Sequence, residues 1–136
     1  MRTFHVFLVN KNIMNLTKDD SYPLFNTFMK IKTLSKDDLS LGINLYEQVA
    51  DPIDKDIFNK ELFKYYDECD FYSKFKSRHS YINKYRDENS VLNVRSAFLK
   101  IESNVSCPDF FKYLKKKHNL FVCDFDNVDY FWSDKI

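Results

Sequence analysis

The chain has 136 residues, of which 44% are hydrophobic and 18% aromatic, and a net charge of +1 at pH 7. This length fits one domain, residues 1–136, with a single core, and the balanced charge disfavours a dedicated DNA-binding protein, which is usually basic. Three scattered cysteines indicate free thiols in a reducing compartment, and no apolar run approaches the ~18 residues of a membrane span, so a cytoplasmic protein is expected.

The N-terminal part of the chain predicts a strand and then an amphipathic helix. Residues 3–9 carry apolar side chains on both faces, which is typical of an interior strand. Residues 10–20 predict a loop or a short helical turn. Ser21 before Pro23 predicts a helix start, because proline fits the first turn without losing a needed hydrogen bond. The packed side of this helix is predicted to hold Leu24, Phe28 and Ile31.

A second helix is predicted to begin near Ser35, with Asp37 and Asp38 in its first turn, where the helix dipole favours anions. Pro52 is expected to end it. The predicted main stripe consists of Leu39, Ile43, Tyr46 and Ala50. A second line beside this stripe consists of Leu41 and Leu45 and ends on Gln48.

This second line is a candidate partner surface. An exposed apolar line formed by Leu41 and Leu45, next to Ile13 and Met14, would be the kind of patch that marks a protein partner. The alternative is that the segment around Ile13 covers the line. The sequence leaves both possibilities open.

The middle of the chain is less regular. Asp54 is predicted to cap a third helix. The predicted buried side of that helix consists of Phe58, Leu62, Tyr65 and Cys69. Residues 71–90 are compatible with a continuing helix, a loop or an edge strand. Residues 91–103 predict one or two strands, with a bulge or turn near Ser96 where the apolar alternation changes.

The C-terminal part predicts a helix and a hairpin. Ser106 or Cys107 is expected to cap the helix, with Pro108 at its start and Asp109 in its first turn. The predicted packed side consists of Phe110, Phe111 and Leu114, and the predicted last turn of Lys115, Lys116 and Lys117. Residues 119–125 and 129–132 predict two strands joined by a polar turn. The order of elements predicts a two-layer α+β fold, in which helices pack on a small mixed or antiparallel sheet that ends in a β-hairpin.

One stretch combines basic and aromatic side chains. Its basic residues are Lys74, Lys76, Arg78, Lys84 and Arg86, interleaved with Phe75, Tyr81 and Tyr85. Basic groups beside stacking aromatics are what single-stranded nucleic acid uses. A nucleic-acid-binding or adaptor protein is therefore one hypothesis, and a solvated surface is the other. Any DNA binding is expected to be weak, unselective and sensitive to salt.

The candidates for catalysis and metal binding are isolated. Cys107 at a helix N-terminus would have a more acidic thiol, but the histidines, His5, His79 and His118, form no motif around it. Cys123 is predicted to lie in the core. The aspartates Asp124, Asp126 and Asp129 lack the frame of a calcium loop, so they predict a hairpin turn. We expect a monomer with no enzymatic activity, no cofactor and no stoichiometric metal.

The C-terminal stretch resembles the end of the SirA family, the sporulation inhibitors of replication of Bacillus-type bacteria. The matching features are an aromatic pair, a helix ending in Leu-Lys-Lys, a strand ending in Asp-Phe and a Tyr-x-Trp strand. Here they are Phe110–Phe111, Leu114–Lys116, Asp124–Phe125, and Tyr130 with Trp132. The opening strand led by Arg2, the helix around residues 24–31 and Asp51–Ile53 also resemble the family.

The resemblance implies a single SirA-like domain that binds the N-terminal domain of the replication initiator DnaA and blocks initiation without chemistry. The family's partner face corresponds to Ile13, Thr17, Leu45 and Gln48 in this chain. Met14 and Leu41 adjoin these positions and complete the candidate surface. The chain departs from the family at Ile13 and Thr17, where the family has aromatic residues.

Overall fold

The computed structural model describes residues 1–34 and 38–136, and the backbone of residues 35–37 as part of a helix. The fold is α+β, as the order of predicted elements indicates. The strands are β1 (Arg2–Leu8), β2 (Tyr72–Phe75), β3 (Arg78–Asn83), β4 (Glu88–Val94), β5 (Leu99–Ser103), β6 (Leu120–Asp124) and β7 (Asp129–Trp132). The helices are α1 (Lys11–Thr17), α2 (Tyr22–Asp37), α3 (Leu39–Val49), α4 (Lys55–Tyr65) and α5 (Phe110–Leu114), followed by a final 3-10 turn, Ser133–Lys135.

The strands form one antiparallel sheet with the order β2-β3-β4-β5-β1-β6-β7. β1 lies inside the sheet, with Phe4 opposite Ile101 on β5 and Phe7 opposite Phe121 on β6. Both apolar faces of β1 are covered by other parts of the fold, which confirms the prediction of an interior strand.

Each face of the sheet has its own core. On one face, α4 and α5 pack over Phe4, Leu92 and Ile101, and we call this buried set the first cluster. On the other face, α2 packs over Phe7 and Phe121, forming the second cluster. Half-buried side chains of α1 and α3 pack against the second cluster.

The N-terminal helices differ from the predictions in two ways. The segment after β1 is a helix, α1, which Asn10 caps by accepting the Asn12 N–H at 2.9 Å. α3 begins at Leu39, because Asp38 caps it by accepting the Leu41 N–H at 3.2 Å. The predicted start at Ser35, with Asp37 in the first turn, falls on positions whose side chains lie outside the described residues.

The packed side of α3 agrees with the predicted stripe only in its C-terminal half. Leu39 and Ile43 are exposed, so assigning them to the core was wrong. Tyr46 and Ala50 pack in or against the second cluster as predicted, and Leu45 and Val49 pack against it as well. Gly42 shares their helical spacing and is the one buried residue within α3.

Asp54 caps α4 as predicted, accepting the Ile57 N–H at 3.2 Å. Phe58 and Leu62 are buried as expected. Tyr65 is exposed, and the following Tyr66 is buried in the first cluster instead. Because α4 ends at Tyr65, Cys69 lies beyond the helix, where it packs against the same cluster. Residues 71–90 belong to β2, β3 and the start of β4, with β2 at the edge of the sheet.

The last helix begins later than predicted. Its N-cap is Asp109, not Ser106 or Cys107, and it ends at Leu114, so the three lysines follow it. Lys115 and Lys116 are exposed, whereas Lys117 forms an ion pair with Glu61. The predicted apolar side is buried, and β6 and β7 form the predicted C-terminal hairpin.

Candidate functional site

The residues predicted to bind a partner lie on α1 and α3, two helices that adjoin at one end. The Asn10 N–H donates to the carbonyl of Val49 at 2.9 Å, and Val9 pairs with Ala50 in an isolated antiparallel bridge. The start of α1 therefore lies beside the end of α3. The candidate partner surface on these helices consists of Ile13, Met14, Thr17, Leu41, Leu45 and Gln48.

Each of the six side chains is at least partly accessible. Leu41 is 45% exposed and Gln48 is exposed, while the other four are half-buried. Ile13, Met14 and Leu45 also pack against the second cluster. Leu45 is thus partly covered, whereas Leu41 keeps an accessible apolar side chain.

Sequence reasoning missed one exposed residue beside this surface. Leu16 is 80% exposed and follows Ile13 by three positions on α1. Side chains three apart lie on neighbouring positions of a helix surface. The three-residue spacing of Ile13 and Leu16 could have shown that the two side chains are neighbours. This spacing is informative only if the segment is known to be helical.

The structure divides the basic stretch into two groups. Lys74, Lys76 and Arg78 lie at or beside the β2–β3 turn, whereas Lys84 and Arg86 lie in the β3–β4 turn. These turns are at opposite ends of β3, which has six residues and therefore separates them by about 17 Å. All five side chains are exposed, but they do not form one compact cationic site.

The aromatics of this stretch are also divided. Phe75 is 73% exposed and Tyr85 is 91% exposed, one in each turn region. Tyr81 is buried in the first cluster, so the expectation that it could stack on a base was wrong. Each end of β3 therefore offers one accessible ring beside basic side chains.

Asp124, at the end of β6, stabilises the C-terminal hairpin through hydrogen bonds. Arg2 donates two hydrogen bonds to Asp124, from Nε at 3.0 Å and from Nη2 at 2.8 Å, and Asn127 donates to both carboxylate oxygens. Burial raises the pKa of Asp124, but these hydrogen bonds outweigh it and hold the pKa below its usual range. Within residues 1–34 and 38–136, no group of three His, Cys, Asp or Glu side chains is arranged to hold a metal ion.

The cysteines have separate environments. Cys107 is exposed and precedes α5 by three residues, so it does not lie at the helix N-terminus as predicted. Cys123 is fully buried in the second cluster, as expected, and burial raises the pKa of its thiol. Cys69 is half-buried beside the first cluster.

Two buried carboxylates hold the start of α5, and one of them, Glu88, was not singled out by the sequence. Glu88 accepts the backbone N–H of Asp109 at 2.9 Å and the hydroxyl of Ser90 at 2.7 Å. Asp109 in turn accepts the hydroxyl of Tyr66 at 2.9 Å and pairs with Lys112 at 3.2 Å. Burial, followed by the charge of Asp109, raises the pKa of Tyr66 far above its usual value. These hydrogen bonds hold the N-terminus of α5, whose first residues are buried in the first cluster.

An apolar cleft of about 360 Å³ opens between α2, α3 and the β4–β5 turn, beside the second cluster. Gly42 lines it, and the hydroxyl of Tyr46, another lining residue, donates to the carbonyl of Ala97 at 2.8 Å. The apolar side chains lining the cleft are Phe7, Phe28, Ile31, Ile43, Phe98 and Phe125.

His5 lies on the wall of this cleft. Its ring centroid is 4.9 Å from that of Phe98 and 5.3 Å from that of Phe125. Nδ1 is buried, and no described residue offers it a hydrogen bond. Burial and then Lys32, with smaller contributions from Lys100 and Arg95, lower the pKa of His5 to about 4.

No protein-family model matches this chain, and no curated protein matches it either. Among the described residues, no helix is both long enough and apolar enough to cross a membrane.

Proposed function

We propose that this chain is a non-enzymatic, cytoplasmic inhibitor of DNA replication initiation that binds the N-terminal domain of DnaA through α1 and α3. The proposed partner comes from the resemblance of the sequence to the SirA family. The observation that carries the proposal is the placement of the six candidate contact residues on two adjoining helices, where each keeps accessible surface.

The energetics favour burial of this surface by a partner. Leu16 and Leu41, on α1 and α3, are both exposed apolar side chains. Burying one such side chain contributes about 1.5–3 kcal/mol. The half-buried Ile13 and Leu45 are held in place by the second cluster, so they lose little conformational freedom on binding. The inhibitor would act by covering a surface of DnaA that initiation requires.

The test measures binding of the purified DnaA N-terminal domain to the full chain by isothermal titration calorimetry. The wild-type protein is expected to bind, and Leu41→Glu to weaken binding about tenfold or more, because a charge would be buried without a partner. Leu41 is a cleaner probe than Leu45, since Leu45 also contributes to the second cluster. Circular dichroism checks that the variant is folded.

Ile57→Glu is the matched control. Ile57 is 51% exposed on α4, on the opposite face of the sheet. The Ile57→Glu variant carries the same added charge at a similarly exposed position, and it should bind DnaA as the wild type does. Absence of binding by the wild-type chain, or equal affinities for the two variants, would contradict the proposal.

The alternative function is binding of single-stranded nucleic acid at the ends of β3. The exposed rings of Phe75 and Tyr85 beside basic side chains favour it. The separation of the two ends limits each site to a few phosphates, so affinity should fall steeply as salt increases. Sub-micromolar binding of an oligonucleotide at physiological salt, lost in Phe75→Ala, would favour this alternative over the DnaA proposal.

A further inference from the structure

The cleft between α2, α3 and the β4–β5 turn has the size and lining of a small-molecule site. Its volume of about 360 Å³ falls in the range of about 300–1,000 Å³ that ligand pockets occupy. Such pockets are mainly apolar and contain a few polar groups that orient the ligand. Here the walls are mostly aromatic and aliphatic, and Lys32, His5 and Tyr46 supply the polar atoms.

The one glycine in the chain, Gly42, lines the cleft. Gly42 lies in the interior of α3, where glycine costs about 1 kcal/mol relative to alanine. It is buried and lines the cleft, so a larger side chain at this position would project into the space or against α2. The choice of glycine at this position keeps the cleft open at a cost to the helix.

Two cations lie against the aromatic walls. Lys32 Nζ is 4.9 Å from the centroid of the Phe125 ring, and the Arg95 guanidinium is 5.8 Å from that of Phe98. Both side chains are exposed and form no ion pair with a described residue, and Lys32 lines the cleft. Their charge is complementary to an anionic head group.

His5, which also lines the cleft, has a ring nitrogen without a hydrogen-bond partner among the described residues. His5 Nδ1 is buried against Phe98 and Phe125, and a buried polar atom without a hydrogen bond costs about 1–3 kcal/mol. The aromatic and aliphatic walls and the ammonium group of Lys32 together describe a site for an amphipathic anion.

We propose that this cleft binds a small monocarboxylate with an apolar body, such as a medium-chain fatty acid. The chain would lie against Phe28 and Ile43 above Gly42, and the carboxylate would lie near Lys32. This site is separate from the candidate partner surface, since Leu41 and Gln48 do not line the cleft.

The experiment titrates the full chain with octanoate and follows the isoleucine methyl groups by NMR. Saturable shifts are expected for Ile31 and Ile43, which line the cleft, with a Kd of about 0.1–1 mM for a ligand of this size. Ile57 and Ile82 are exposed elsewhere and should not shift. Octan-1-ol and octylammonium have the same chain with a neutral and a cationic head, and should bind more weakly than octanoate.

Two variants test the parts of the site. Gly42→Ala should weaken octanoate binding about tenfold if the methyl group enters the cleft, while urea unfolding reports whether the helix gains stability as its propensity predicts. Lys32→Gln should weaken octanoate binding about two- to fivefold and leave octanol unchanged, as expected for one partly exposed ion pair. Lys30→Gln, an exposed lysine on the same helix that does not line the cleft, is the matched control.

The results that overturn the proposal are equally definite. The site is wrong if octanoate gives no saturable shifts, or if the shifts occur at Ile57 and Ile82 instead. The assignment of an anionic head is wrong if octanoate and octanol bind equally, or if Lys32→Gln binds octanoate as Lys30→Gln does. Because Lys32 is exposed on α2, its replacement is expected to preserve the fold and gives a readout even if Gly42→Ala fails to fold.

Discussion

The two histidines of the sheet have the same depressed pKa in opposite surroundings. His79 lies on β3 and its pKa is lowered to about 4, first by burial and then by Lys74. Its ring nitrogens have partners on both sides, the Tyr72 hydroxyl at 2.7 Å from Nδ1 and Asn59 Oδ1 at 2.8 Å from Nε2. His5 reaches the same pKa with Nδ1 unpaired among phenylalanine rings.

This contrast separates the burial of a histidine ring from the hydrogen bonding of its nitrogens, which the pKa alone does not distinguish. Burial alone disfavours the charged imidazole, so a depressed pKa indicates burial in both regions. The hydrogen bonding of the two rings differs. Whether the ring nitrogens have partners is a better guide than the pKa to whether a histidine has a structural or a ligand-binding role. Both ring nitrogens of His79 are hydrogen-bonded, whereas His5 lines an apolar cleft and its buried Nδ1 has no partner among the described residues.

The largest expected effect compares the packing of the two regions. Phe110 is fully buried in the first cluster, with Tyr66 and Tyr81 against its ring, so Phe110→Ala should lower the free energy of unfolding by about 3–5 kcal/mol. Phe28→Ala should cost less, because part of the Phe28 ring faces the cleft and so has fewer packing contacts to lose. Urea unfolding of both variants measures the difference.

Phe75→Ala is the control for the packing comparison, since this side chain is 73% exposed. It should change the free energy of unfolding by no more than about 0.5 kcal/mol. Equal losses in Phe110→Ala and Phe28→Ala would show that the two clusters are equally well packed, and the contrast between the two regions would then rest on hydrogen bonding alone.

The next effect is the dependence of stability on pH. Both histidines are harder to protonate in the folded chain than in the unfolded chain, where the pKa is near 6.5. Between about pH 4 and pH 6.5 the unfolded chain therefore binds more protons, and stability falls as the pH falls through this window. For the fully buried His79, the expected loss from pH 7 to pH 5 is up to about 2 kcal/mol.

Urea unfolding at pH 7, 6 and 5 measures this slope, with His79→Gln as the test variant. The slope should decrease when His79 is replaced, because glutamine does not titrate. His118→Gln is the control, since His118 is exposed on the surface. A slope unchanged by His79→Gln would mean that this ring can take up a proton inside the fold.

The sequence predicted those parts of the fold that local chemistry determines. Pro23 marks the start of α2 and Asp54 caps α4 through a contact three residues away. The C-terminal hairpin follows from two apolar strands around a polar turn. In each case the signal and its structural effect lie within a few residues.

The predictions failed where the signal was weak or distant. The β2–β3 turn places Lys76 at a φ of 55°, a position where glycine or asparagine is the usual signal, so residues 71–90 gave no clear turn. The buried side of α3 depends on its packing against α2, so Leu39 and Ile43 were placed on the wrong side. The cleft combines Gly42 with His5 and Phe98, which come together only in the folded chain.

The smallest expected effect is the change in stability caused by replacing His5 with phenylalanine. The same replacement at His79 gives the comparison. His79→Phe removes a ring whose two nitrogens are hydrogen-bonded, and it leaves Tyr72 and Asn59 without these partners. It should therefore destabilise the protein. His5→Phe removes the unpaired Nδ1 and adds an aromatic ring beside Phe98 and Phe125, so it should stabilise the protein.

The gain from His5→Phe should be about 1 kcal/mol at pH 7, because the cost of an unpaired buried polar atom is about 1–3 kcal/mol and the larger ring offsets part of its removal. The gain should increase at pH 5, since the wild-type chain then loses stability through His5 and phenylalanine cannot titrate. Urea unfolding at both pH values separates these contributions. A loss of stability at pH 7 would show that Nδ1 is stabilised in the folded chain, and the two histidines would then be alike in hydrogen bonding as well as in pKa.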